Sequence, residues 1–173
     1  YYFFYSRDLA WGYYDHPPLI AIFIRLGYLV FNNELGVRIL YVLLSLGTIL
    51  IIQKLSEVKN DLLFGLLIFS FRIFQITGFL AITDSLLLFF TALFFLVYKR
   101  YTAESNMTNA LLLGVVMAGM FYSKYLGLVI IFFTVISNIR LLWKRSFWVA
   151  VITTTVLFLP HLIWQYRHDF PSF

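Results

Sequence analysis

At 173 residues, with 62% hydrophobic and 12% charged positions and a mean hydropathy of +0.88, the chain carries more apolar surface than a water-soluble domain can bury. It has no cysteine, which excludes a disulfide framework and a thiolate metal site. The net charge of +5 sits in small groups between apolar runs rather than in a stripe, so nucleic acid is excluded as a partner and anionic membrane lipid is favoured.

A spanning helix needs about 20 mainly apolar residues, because each rises ~1.5 Å through ~30 Å of hydrocarbon. In chain order, residues 1–34 read as an external loop. Its apolar stretch at 19–31 is short and interrupted by Arg25, which predicts an interfacial helix lying along the membrane. The first span is expected at 35–55. After the polar turn Ser56-Glu57-Val58-Lys59-Asn60-Asp61 a second follows at 62–80. Residues 86–98 (running on to Lys99 and Arg100), 110–122, 126–142 and 147–164 complete about six spans, and 165–173 begin another external loop. The expected fold class is all-α, a polytopic transmembrane helical bundle with an external interfacial helix, in a single membrane-embedded domain. Neither an initiator Met nor a signal-peptide pattern opens the sequence, so it reads as an internal fragment of a longer chain.

Orientation follows from basic residues in short loops. If Ser56 to Asp61 is cytoplasmic, alternation puts Lys54, Lys59, Lys99, Arg100, Arg140, Lys144 and Arg145 inside. The other face then collects Asp8, Asp15, His16, Asp84, Lys124, His161, His168 and Asp169, and the chemistry is expected there. Short loops point to a bacterial or archaeal plasma membrane.

Within the string Tyr13-Tyr14-Asp15-His16-Pro17-Pro18-Leu19, a carboxylate and an imidazole precede two prolines that stiffen a helix start. Asp15 and His16 could hold a divalent metal or a phosphate-bearing substrate; equally, Asp15 could cap the next helix. Asp84, after Thr83, is either a functional carboxylate at the membrane boundary or a cap. Arg72 falls mid-way along the 62–80 stretch, too deep to snorkel, so it faces an ion pair or a buried anion. Lys124 could neutralise a substrate phosphate or anchor a lipid headgroup. His161, with Trp164 and Tyr166, fits an interfacial belt. Protease and nucleotide-hydrolase motifs are absent from the sequence.

Taken in order, Gly12-Tyr13-Tyr14-Asp15-His16-Pro17-Pro18-Leu19, Glu34-Leu35-Gly36-Val37-Arg38 and Thr83-Asp84-Ser85-Leu86-Leu87-Leu88-Phe89-Phe90 resemble the GT-C membrane glycosyltransferases. The branch is that of dolichyl-phosphate-mannose protein mannosyltransferases and bacterial lipid A aminoarabinose transferases. Ser123-Lys124-Tyr125, Pro160-His161-Leu162-Ile163-Trp164 and His168-Asp169-Phe170 are similar to its bacterial members. The resemblance implies transfer of a sugar from a polyprenyl-phosphate carrier to a lipid, glycan or protein acceptor on the non-cytoplasmic face. It implies catalytic roles for Asp15, His16 and Asp84, and substrate contacts from Lys124, Arg72 and Tyr14. It also implies a divalent metal at Asp15 and His16. The family's acidic pair, one member of which is the general base, would lie just before Tyr1, so the fragment by itself is expected to be inactive. A secondary transporter, suggested by many spans and an intramembrane Arg72, and a noncatalytic binder of lipid-linked sugar are the alternative readings.

Overall fold

The structure, a computed structural model, describes residues 1–172. Among the described residues every regular element is a helix and there is no strand: α1 (Tyr2–Tyr5), α2 (Leu19–Val30), α3 (Glu34–Leu55), α4 (Asp61–Ser70), α5 (Arg72–Thr77), α6 (Thr83–Ala103), α7 (Met107–Ser123), α8 (Gly127–Ser137) and α9 (Arg145–Arg167), with a 3-10 helix at Ile139–Trp143. Three helices start at asparagines that precede apolar runs. Asn33 accepts from the amides of Leu35 and Gly36, Asn60 from Leu63 and Asn106 from Asn109, each meeting amides that have no partner within the helix.

By length and composition, α3, α6 and α9 can each cross a membrane unaided. The 17 residues of α7 reach the lower end of the spanning range. The other two stretches expected as continuous spans are interrupted. Residues 62–80 break at Phe71, whose extended backbone (φ −81°, ψ 104°) separates α4 from α5. Side chains satisfy the exposed carbonyls there, with Ser70 Oγ donating to Leu67 O (2.7 Å) and Gln75 Nε2 to Phe69 O (2.7 Å). Arg72 therefore sits exposed at the start of α5, where the expected continuous helix would have put it mid-span. Residues 126–142 break at Asn138, whose Nδ2 donates to Tyr98 Oη (3.0 Å).

The main core lies where α6, α7 and α9 meet, around Leu87, Phe94, Tyr101, Leu113, Met120 and Ala150. Gly114 lets α7 and α9 approach backbone to backbone. A Cβ there would stand 2.6 Å from Ala150 O and 2.7 Å from Thr153 Cβ, and Thr154 Oγ1 donates to Gly114 O (3.0 Å) across the same contact. A second cluster of Ile20, Ile24, Tyr41 and Leu86 fixes α2 against α3 and α6. Buried Ile20, Ala21, Ile24 and Gly27 share one face of α2, while Leu26, Leu29 and Val30 are exposed, which gives the short helix one packed and one open side. Leu46, Leu50, Leu62, Phe69, Phe132 and Trp148 are exposed apolar groups on other helices, as lipid-facing helices require.

The two ends of the bundle differ chemically. At one end Lys144 Nζ donates to Ser105 Oγ (2.7 Å) and Tyr101 Oη pairs with Ser146 Oγ (2.9 Å). The opposite end carries the first loop, the starts of α2 and α6, the α7–α8 turn and the end of α9, and there the candidate residues gather.

Candidate active site

The site begins with aromatic residues. Tyr1, the N-cap of α1, and Tyr5, four residues on, come together with their hydroxyls 2.9 Å apart. Tyr1 donates to Asp15 Oδ2 (2.5 Å), and Tyr5 Oη lies 3.1 Å from Oδ1. Burial pushes the Asp15 carboxyl up, but the bond from Tyr1, the neighbouring His16 and the bond from Tyr5 outweigh it and hold Asp15 below the ordinary carboxylate range. His16 Nε2 lies 3.5 Å from Asp15 Oδ2 and 2.9 Å from Tyr2 Oη. Asp15 does not cap α2, whose N-cap is Pro18 without a side-chain bond.

Asp84 does not act as a cap either. The N-cap of α6 is Ile82, and Asp84 stands in the first turn, where a negative charge suits the helix N-terminus. Its Oδ1 accepts from Lys124 Nζ at 2.7 Å, with the two side chains 45% and 33% exposed. Tyr2 joins this pair to Asp15 and His16. Burial raises its phenol pKa above the ordinary value; Thr83 lowers it, the Asp15 and Asp84 carboxylates raise it, and Lys124 lowers it. Asp15, His16, Asp84 and Lys124, drawn from three separate segments, thus share one polar neighbourhood. Neither Tyr14 nor Arg72 makes a side-chain hydrogen bond or ion pair with these four residues. Tyr14 is 73% exposed and enters the structure through its backbone carbonyl, which accepts from Ser172; Arg72 is exposed at the helix break.

Residues 15–164 match the family described as dolichyl-phosphate-mannose-protein mannosyltransferase. The chain belongs to that family. It is also 28% identical, over 97% of its own length, to the lipid A galacturonosyltransferase RgtD of Rhizobium johnstonii (strain DSM 114642 / LMG 32736 / 3841). The chain spans 38% of that relative's length. No solved structure matches. Membership in the mannosyltransferase family makes this a glycosyltransferase-type membrane chain of the GT-C class.

Against the metal that the family resemblance implies, Asp15 and His16 offer only two donors. Among the described residues no three His, Asp or Glu side chains come close enough to share an ion, and both Asp15 oxygens and His16 Nε2 are already engaged by tyrosine hydroxyls. The pair by itself does not make a metal site.

Several residues of this polar cluster go beyond the sequence candidates. Tyr1, Tyr2 and Tyr5 are partners of Asp15 and His16; their Tyr-Tyr-x-x-Tyr spacing was the available signal. His161, expected in an interfacial belt, is fully buried: Nδ1 meets Trp11 O at 2.6 Å and Nε2 meets Tyr125 Oη at 2.8 Å. Tyr166, off the buried face of α9, is 74% exposed. His168 stacks on Trp164 with ring centroids 4.2 Å apart.

Proposed function

We propose that this chain forms part of the catalytic cavity of a glycosyltransferase that moves a sugar from a polyprenyl-phosphate carrier to a lipid acceptor, on the non-cytoplasmic face of a bacterial or archaeal plasma membrane. The convergence of Asp15, His16, Asp84 and Lys124 around Tyr2 carries this reading, because two carboxylates, an imidazole and a cation at the polar end of an apolar bundle suit an amphiphilic phosphate. The lipid acceptor is favoured by the named activity of the Rhizobium relative.

In the reaction, an acceptor hydroxyl bonds to the anomeric carbon while the bond from that carbon to the carrier's phosphate oxygen breaks. The hydroxyl proton goes to a general base, and the phosphate leaves with its negative charge. Lys124 meets that charge from its place beside Asp84, supplying the electrostatic stabilisation that a departing phosphate needs. Asp84 orients the ammonium, and Asp15 with His16 orients the reacting sugar at the loop. No step runs through a metal.

The test is transfer by the full-length protein with defined polyprenyl-phosphate sugars and a lipid acceptor. The wild type should form product and Asp84→Asn should be strongly impaired. Undiminished transfer by Asp84→Asn would remove the catalytic-site assignment and favour a noncatalytic binder of lipid-linked sugar.

A further inference from the structure

The end of α9 grips the first loop through a continuous chain of hydrogen bonds. His161 and Gln165, one turn apart, are both fully buried. The carbonyl of Trp11 can only accept, so His161 Nδ1 carries the proton and donates to it at 2.6 Å. Nε2 of the neutral ring is then an acceptor, and Tyr125 donates to it at 2.8 Å. Gln165 Nε2 donates to Tyr125 Oη (2.9 Å) and to Ser172 Oγ (2.8 Å). Ser172 in turn donates to the carbonyls of Tyr13 (3.1 Å) and Tyr14 (3.0 Å). Both ends of the chain terminate on loop backbone, at Trp11 and at Tyr13 and Tyr14, immediately before Asp15 and His16. Gly12, between these anchors, is pressed against the Trp164 ring so closely that no side chain fits.

We infer that His161 is a positioning residue, which holds the Trp11 to Tyr14 backbone on α9 and so sets where Asp15 and His16 stand in the cavity. This rests on the proposed transfer reaction for its catalytic consequence, but the grip is a property of the fold alone. A loop-borne pair held from one side only by the α1 tyrosines would be free to pivot; the second attachment removes that freedom.

The test uses full-length protein with two readouts. Phe in place of His161 keeps a ring but neither nitrogen, whereas His161→Asn keeps a donor near Nδ1. His161→Phe should lower kcat at least about tenfold with donor KM within about threefold of wild type, and His161→Asn should regain most of it. Amide exchange over residues 10–16 should rise about tenfold in His161→Phe, and less in Ser172→Ala, with the α6, α7 and α9 core unchanged. Should His161→Phe misfold, Ser172→Ala carries the exchange test alone. Unchanged exchange in the folded variants, or His161→Asn no better than His161→Phe, would overturn the assignment. Absence of transfer by the wild type would sink the proposed reaction and leave exchange to decide the grip.

Discussion

Lys124 and Asp84, forty positions apart in sequence, face each other with Nζ 2.7 Å from Oδ1 at the polar end of the bundle. Both side chains retain access to solvent, so the pair can be opened by an incoming anion without exposing a buried charge.

A partner exchange of this kind predicts non-additivity. Asp84→Asn and Lys124→Met should each lower kcat/KM about 100-fold, and the double variant should lose little more than either single, because each removes the same electrostatic unit. Initial rates for the four proteins measure the coupling; fully additive losses would mean that the residues act separately.

Tyr2→Phe keeps the packing of α1 and deletes the hydroxyl that meets His16 at 2.9 Å. We expect about a tenfold lower transfer rate and a thermal midpoint close to wild type, since a partly exposed hydrogen bond contributes ~1 kcal/mol to stability. A rate equal to wild type would take Tyr2 out of the site.

Asp15 has its pKa held below the ordinary value: burial raises it, but the hydrogen bonds from Tyr1 and Tyr5 and the nearby His16 overcome that effect. A depressed folded pKa contributes stability above the unfolded value and loses it as pH falls through the folded value. The first loop should therefore hold at neutral pH and loosen on the acid side. Tyr1→Phe deletes the principal stabilising bond, so loosening should begin at higher pH, measured by amide exchange of residues 10–16 against pH. An unchanged onset would contradict the assigned cause.

Gly114→Ala should destabilise the protein by about 1–3 kcal/mol, because the added methyl meets the backbone of Ala150, which cannot move without displacing α9. Thermal unfolding in detergent measures this. Gly65→Ala is the control, as nothing lies within 4 Å of a Cβ there.

The helices were legible in the sequence where polar punctuation framed an apolar run, as at Asn33, Asn60 and Asn106, because a cap is a local event. The break at Phe71 was not. Its surroundings, Ile68, Phe69, Phe74 and Ile76, are as apolar as a continuous span, and the rearranged carbonyls are satisfied by side chains whose reach no periodicity reveals. Asp15, His16 and Asp84 could be selected as candidates from their residue types and from the family resemblance, yet their convergence depends on packing between distant segments. His161 was misjudged by its neighbours: Trp164 and Tyr166 suggested an interface. The better signal was phase, since Phe147, Ala150, Thr154, His161 and Gln165 recur at helical spacing and form the buried stripe of α9.

Tyr2 has a consequence for how this protein will answer to acid and base. Burial above all, and then the Asp15 and Asp84 carboxylates, raise its phenol against the lowering by Thr83 and Lys124, so Tyr2 keeps its proton at neutral pH and beyond. Its hydroxyl therefore holds the His16 ring as a neutral hydrogen-bonding partner, and brings no charge of its own into a site already crossed by two carboxylates and an ammonium.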